Sequence, residues 1–215
     1  MRLFLASFFM VFLSSGCSSP KTSYYMLSAP AVAQSTTSAP SVRLMVGPVS
    51  LPDAVDQPQL VVNSSNNEIE VFKYDRWAGS LKADVSRVIA ANLARELDIS
   101  NIWSFSQSTQ TNFDYQILID VQNLHSKLGE SVFVDVLWTI KPAAGSSNAL
   151  VKRSDKKNAE IKNTGINPEP GFIPRVMMGR SSVNEPVTHS GVDALVAAQS
   201  RAFAKVSREI ASSIR

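Results

Sequence analysis

The sequence contains few of the residues that common functional sites require. Its 215 residues include one cysteine and two histidines, only 18% are charged, and the formal net charge is +3. A single cysteine cannot form a disulfide within the chain, and a cysteine-based zinc site needs more ligands than this. So small a net charge does not indicate a nucleic-acid partner, and none is predicted. The apolar fraction of 44% fits a globular fold with a hydrophobic core.

Catalytic signatures are also missing. The chain has no GxxxxGK[ST] phosphate loop and no GxSxG elbow. His125 and His189 have no acidic or histidine neighbour at ligand spacing, and we predict surface or structural roles for both. Asp114, Asp120 and Asp135 are expected on the solvent side of strands, not as paired catalytic acids. We therefore predict no catalytic residue, no metal site and no cofactor. A Ser-His-Asp triad assembled in space, as in a hydrolase, stays an open alternative.

The N-terminus carries an export signal. Arg2 is followed by an uncharged apolar run over residues 3–13. A membrane-spanning helix needs roughly 20 residues, so this run is too short to cross a bilayer. A positive residue followed by a short hydrophobic region is typical of a secretory signal peptide. Residues 1–16 are accordingly predicted to be removed on export.

The lone cysteine follows this signal directly. The small residues Ser-Ser-Gly at 14–16 precede Cys17 and resemble a bacterial lipobox, with Ser14 where leucine is usual. The resemblance implies cleavage before Cys17 and a covalent N-acyl and S-diacylglycerol lipid on that residue. The alternative is an ordinary signal peptide that happens to contain a cysteine. Ser18, in place of aspartate, resembles outer-membrane sorting, with the protein facing the periplasm.

Residues 17–41 are predicted to form a lipid-anchored N-terminal segment and linker. Residues 24–27 are β-prone, and residues 28–41 are uncharged and rich in Ser, Ala, Thr and Pro. If residues 24–27 pair into a sheet, the tether is only residues 18–23, which reach about 20 Å at most. If they are unpaired, the protein can move much further from the membrane. A single domain is expected over residues 42–215.

Apolar periodicity predicts the elements of that domain. Alternating or short apolar runs indicate strands over residues 42–46, 59–62, 68–72, 102–105, 115–121, 132–140, 149–151 and 175–183. Helical spacing indicates helices over 80–97, with Ser80 as the N-cap, and over 191–214. The polar stretch 155–174 is predicted to be irregular. The fold class is therefore α+β: a mixed, mostly antiparallel sheet with two amphipathic helices packed on one face.

Several short motifs resemble one protein family. Besides the lipobox, they are Tyr-Tyr-x-Leu at 24–27, VGPVSLP at 46–52, DQPQLV at 56–61, Arg-Trp-Ala at 76–78 and Glu-Pro at 185–186. Together they are similar to the ABC-type transport auxiliary lipoprotein family, the PqiC-like lipoproteins. The most specific parts are residues 47–61 and 76–78. At 54–59 the chain has AVDQPQ, where the family often has YLDRPQ.

The resemblance implies a non-enzymatic, periplasm-facing outer-membrane lipoprotein. Its role is that of an auxiliary subunit of an MCE-type intermembrane lipid-transport system that supports envelope integrity. The implied partners are an MCE-domain bridging protein, the inner-membrane permease of the same system and outer-membrane lipid. A homo-oligomer is an open possibility by analogy with a ring-shaped bridge. The alternative function is a lipoprotein adaptor or activator of a periplasmic cell-wall enzyme.

Two places are candidates for partner binding. Arg76 and Trp77 are residue types enriched at interface hot spots. Trp77 has a simpler alternative role, which is to pack the start of the first helix onto the sheet. The strand at Gln59, Leu60 and Val61 offers an edge to which a partner segment can add as a β-strand. The alternative is an exposed edge that nearby prolines keep from pairing further.

Overall fold

The protein is described by a computed structural model covering residues 20–29, 42–105, 112–143 and 176–214. The strands are β1 (Ser23–Tyr25), β2 (Leu44–Ser50), β3 (Gln59–Asn63), β4 (Ile69–Trp77), β5 (Ile102–Ser104), β6 (Tyr115–Ser126), β7 (Ser131–Pro142) and β8 (Met177–Pro186). The helices are α1 (Leu81–Leu97) and α2 (Val192–Ile214). The signal peptide, Cys17, the predicted strand 149–151 and the stretch 155–174 lie outside the described residues.

The larger sheet has five strands in the order β5-β2-β6-β7-β8. Strand β2 runs parallel to both β5 and β6, and β6, β7 and β8 are antiparallel. The predicted hairpin of β6 and β7 is confirmed, with both strands longer than expected. Along β7, Val134 and Val136 are buried while Phe133 and Leu137 are exposed. This alternation leaves one face of the sheet for the helices and the other for solvent.

Both predicted helices are confirmed, and they lie side by side on the buried face of the larger sheet. They contact each other, while α1 also contacts β2 and β5, and α2 contacts β7 and β8. Ser80 is the N-cap residue of α1, as predicted, but its side chain makes no capping hydrogen bond. Among the residues that the structure describes, no helix has the length and apolar character needed to cross a membrane.

The predicted single sheet is in fact two. A second sheet of three strands has the order β1-β4-β3, with β3 and β4 forming the predicted antiparallel hairpin. Pro48 lies within β2, and Pro52 and Pro58 lie between β2 and β3. All three lack the amide hydrogen that a continuing ladder needs, which favours the break between the sheets. Strand β4 also runs past the predicted end at residue 72 to Trp77. The α+β class and the mixed strand directions are confirmed, and both sheets share one core with the helices.

The N-terminal strand is paired, which decides between the two alternatives for the tether. Strand β1 lies parallel to β4, with Ser23 opposite Asp75 and Tyr25 opposite Trp77. The hydroxyl of Tyr25 donates a hydrogen bond to Asp75 Oδ1 at 3.0 Å. The amide of Ala78 donates to the carbonyl of Tyr25 at 2.7 Å. Part of the segment 17–41 is therefore built into the fold.

A second set of contacts holds the chain just after β1. The side chain of Leu27 is 1% exposed and belongs to the core. Its amide donates to Asp84 Oδ2 at 2.9 Å, and its carbonyl accepts from Arg87 Nη2 at 2.5 Å. The amide of Ser28 donates to Ser200 Oγ on α2 at 3.0 Å. We call this arrangement around Leu27, Asp84 and Arg87 the Leu27 clamp, and it ties the N-terminal segment to both helices.

The prediction that Asp135 faces solvent is wrong. Asp135 lies on the face of β7 away from the helices, but it is only 2% exposed. Arg180 Nε, on the neighbouring strand β8, donates to Asp135 Oδ1 at 2.8 Å, Arg180 Nη2 donates to Oδ2, and Ser182 Oγ donates to Oδ1 at 2.9 Å. The hydrogen bonds from Arg180, assisted by Ser182, outweigh desolvation and lower the pKa of Asp135 to about 2.

We expect the Asp135 carboxylate to make the free energy of unfolding decrease at acid pH. Because the pKa of Asp135 is lower in the folded protein than its ordinary value of 3.8, its contribution is complete above that value and is lost as pH falls toward 2. Denaturant unfolding of wild type and Asp135→Asn between pH 7 and pH 2 tests this. The variant should lose about 1.5–3 kcal/mol at neutral pH, the range for a hydrogen bond to a charged group. The difference in free energy of unfolding between the two proteins should shrink toward pH 2. A difference that stays constant with pH would contradict the lowered pKa of Asp135.

Candidate partner-binding surface

The two most family-specific segments, far apart in sequence, meet at the start of α1. The amide of Trp77 donates to the carbonyl of Pro58 at 2.8 Å, and Gln59 pairs with Arg76 across the sheet. Lys82 Nζ lies 2.5 Å from Asp56 Oδ2. Residues 47–61 and 76–78 therefore form one surface. We call residues 48–49, 56–58, 76–82 and 105 the α1 entry surface.

Two hollows open on this surface and share Ser80. The larger has a volume of about 390 Å³ and is lined by Asp56, Gln57, Pro58, Trp77, Gly79, Ser80 and Leu81. The smaller has a volume of about 280 Å³ and is lined by Pro48, Val49, Ser80, Lys82, Ala83, Ser86 and Phe105. Small-molecule pockets typically span about 300–1,000 Å³, so these volumes are near the lower limit. Hollows of this size suit individual side chains of a protein partner.

The surface combines paired charges with exposed apolar groups. Asp56 and Lys82 neutralise each other as an ion pair, and Gln57 Nε2 donates to the carbonyl of Ala54 at 2.8 Å. Phe105 is 50% exposed beside the smaller hollow, and Pro48 is also exposed. An exposed aromatic ring next to a hollow with little net charge is typical of a protein-docking surface.

The structure separates the predicted partner-binding residues into two groups. Leu60 and Val61 are buried, and Trp77 is 6% exposed within the core. Gln59 and Arg76 are half-buried and reach the surface. Trp77 thus has the packing position that the simpler alternative describes. Strand β3 is an edge of the three-stranded sheet, so addition of a partner strand there would use its backbone.

Some members of the surface were not found from the sequence. Phe105 follows β5, and it reaches the start of α1 because β5 pairs in parallel with β2. Gly79 lines the larger hollow as a short exposed link between β4 and α1. Neither residue has a local signal in the sequence, since both positions depend on how distant strands pair.

The histidines lie away from this surface. His189 Nε2 is 3.7 Å from Asp193 Oδ2, so the prediction that His189 has no acidic neighbour is wrong; both side chains are exposed. The ring of His125 packs edge-on against Phe133, with ring centroids 6.4 Å apart. In the described parts of the chain, no group of three or more His, Cys, Asp or Glu side chains is placed to hold a metal ion.

The chain belongs to the ABC-type transport auxiliary lipoprotein family, because the model of the ABC-type transport auxiliary lipoprotein component matches residues 25–211. No match was found among curated proteins.

Solved structures share the fold. A crystal structure described as an uncharacterized protein is similar with a TM-score of 0.63 at 17% identity, covering 91% of this chain and 100% of that one. Protein XCC0632 from Xanthomonas campestris, of family DUF330, is similar with a TM-score of 0.57 at 16% identity, covering 90% of this chain and 95% of that one. At these identities the similarity shows the fold alone.

Proposed function

We propose that this protein is the non-enzymatic outer-membrane docking subunit of an MCE-type intermembrane lipid-transport system. Family membership supports a transport auxiliary role. The observation that carries the docking role is the convergence of residues 47–61 and 76–78 on the α1 entry surface. The partner is an MCE-domain protein that bridges the periplasm toward the inner-membrane permease.

In this proposal the lipid on Cys17 attaches the protein to the membrane, and the α1 entry surface binds the partner. An N-acyl and S-diacylglycerol lipid on Cys17 holds the protein in the outer membrane, since several acyl chains exceed the two signals needed for stable attachment. Because β1 is paired and the Leu27 clamp follows it, the tether ends at Ser23. The short tether thereby keeps the folded protein close to the membrane, and the α1 entry surface receives the end of the bridging protein.

A crosslinking pull-down from intact cell envelopes tests the proposal. The bait is the acylated protein, compared with a Cys17→Ala variant that is exported as a soluble protein. Recovery of an MCE-domain protein with the acylated bait supports docking. Recovery with both baits shows that the folded protein binds the partner and that the lipid only localises it. Recovery of cell-wall synthases without any MCE-domain protein would reject the proposal and favour the cell-wall alternative.

Gly79→Arg is expected to abolish partner capture without loss of stability. A Cβ atom at Gly79 has no heavy atom within 4 Å outside its immediate chain neighbours, so the larger residue is accommodated, yet it blocks the larger hollow. Ala197→Arg, on an exposed position of α2, is the matched control. We expect recovery of the MCE-domain protein to fall at least tenfold for Gly79→Arg, a loss of about 1.4 kcal/mol or more in binding. Ala197→Arg should leave it unchanged, and equal recovery with both variants would place the docking site elsewhere.

A further inference from the structure

The β3–β4 hairpin points in the same direction as the N-terminal tether. Since β1 and β4 are parallel, their first residues lie toward the same end of the small sheet. Ser23 is opposite Asp75, while β4 begins six residues earlier, at Ile69. At a rise of about 3.3 Å per residue, β4 extends about 20 Å or slightly less beyond the start of β1.

The tether cannot reach further than the hairpin. Ser23 is six positions after Cys17, and six fully extended residues span about 20 Å at most. A tether that follows β4 brings Cys17 no further than the level of Ile69. The hairpin turn at residues 64–68 lies at that level or beyond it. When the N-terminal end of β4 points at the membrane, the turn therefore lies at least as close to the lipid surface as Cys17 does.

The side chains near this turn suit a lipid interface. Ile69 is 47% exposed and Val71 is 45% exposed, two positions apart on β4. Residues 64–67 of the turn are uncharged Ser and Asn residues. Glu68, Glu70 and Lys73 around them have a formal net charge of −1, so attraction to an anionic surface does not drive the contact. Apolar burial, at about 25 cal/mol per Å² of surface removed from water, is thus the main attraction.

The hairpin is also held firmly to the rest of the fold. The amide of Ser126, at the end of β6, donates to Asn63 Oδ1 at 2.9 Å. Strand β3 additionally contacts β6. A hairpin fixed in this way moves with the whole protein, so contact of its turn with lipid sets the orientation of the protein on the membrane.

We infer that the turn of the β3–β4 hairpin, with Ile69 and Val71, rests on the lipid surface in which Cys17 is anchored. This inference rests on the lipid anchor of the proposed function. It places the other end of β4, and with it the α1 entry surface, on the side that faces the periplasm. The protein then contacts the membrane at two places, through the acylated tether and through the hairpin turn.

Quenching of a fluorescent label by doxyl-labelled lipid tests whether the hairpin turn contacts the membrane. Ile69→Cys and Ala78→Cys variants of the acylated protein are labelled with the polarity-sensitive dye NBD. Both residues are exposed and lie at opposite ends of β4. With Cys17 acylated, each variant has one free thiol. The labelled proteins are reconstituted in phosphatidylethanolamine–phosphatidylglycerol vesicles with and without doxyl-labelled lipid, and acylation is checked by mass spectrometry.

We expect the dye at position 69 to shift to shorter wavelength and to be quenched by doxyl lipid, including at high salt. The dye at position 78 should stay in a watery environment. An acylated, vesicle-bound protein with no quenching at position 69, or with equal quenching at both positions, would overturn this inference alone. A chain that carries no lipid on Cys17 and does not bind vesicles would overturn the anchoring proposal and this inference with it.

Discussion

Leu27→Ala is expected to destabilise the protein by about 2–5 kcal/mol, the range for truncating a fully buried leucine. Leu27 is 1% exposed, and its backbone is held on both sides by Asp84 and Arg87 in the Leu27 clamp. Loss of the buried side chain removes the apolar contact that positions these hydrogen bonds. Chemical denaturation of the purified full-length protein measures the change in free energy of unfolding. Hydrogen exchange should show the largest loss of protection over residues 23–28.

The neighbouring residue supplies the control for this prediction. Met26 is 57% exposed, so Met26→Ala should change stability by no more than about 0.5 kcal/mol, as for most surface substitutions. A Leu27→Ala protein that unfolds at the wild-type denaturant concentration would show that the N-terminal segment is not part of the core.

Release of this segment would also change the reach of the anchor. With β1 and the clamp intact, the tether from Cys17 to Ser23 reaches about 20 Å. With both released, the next fixed strand is β2, which begins at Leu44, and the intervening chain can span about 90 Å. We therefore expect Leu27→Ala to reduce capture of the MCE-domain protein in envelopes even at temperatures at which the remaining fold is intact.

Trp77→Ala should lower stability by about 3–5 kcal/mol, the usual cost of replacing a buried aromatic residue by alanine. Trp77 ends β4 and lies in the core at the start of α1. For a protein of about 200 residues, each kcal/mol corresponds to about 2–4 °C in Tm. Thermal unfolding should therefore show a decrease of about 6–20 °C. Trp77→Phe, which keeps a buried ring, should recover much of this loss.

Arg76→Ala tests whether Arg76 binds the partner while Trp77 only packs in the core. Arg76 is half-buried and lies opposite Tyr24 in the sheet register. We expect its replacement to change Tm little but to weaken recovery of the MCE-domain protein. Wild-type stability of Trp77→Ala, together with lost recovery, would instead assign the binding role to Trp77.

The local elements could be predicted because their patterns are short in range. The apolar stripe of residues 80–97 and the strand alternation at 115–121 and 132–140 repeat within one element. Their burial follows directly in the structure, where Val88 and Leu93 on α1 are fully buried. The β3–β4 hairpin was predicted for a related reason, since a turn of Ser and Asn residues joins two neighbouring runs.

Apart from the His189–Asp193 contact, which joins residues only four positions apart, the errors arose where contacts join distant residues. Asp135 alternates like a solvent-facing residue, but Arg180, 45 positions later, covers it through the pairing of β7 with β8. The composition of the two sheets depends on the parallel pairing of β1 with β4 and of β5 with β2. Parallel pairing has no connecting turn and therefore leaves no local signal in the sequence.

The class of the protein, the helices, the hairpins and the motifs around Cys17 follow from the sequence alone, because each depends on residues close together in the chain. That residues 47–61 and 76–78 form one surface, and that β1 joins β4, becomes visible in the folded protein. The folded protein also shows that Leu27 is held between the helices. At Leu27 and Ser28 the hydrogen bonds join residues 57 and 172 positions apart, and they form only when packing of the whole core brings their elements together.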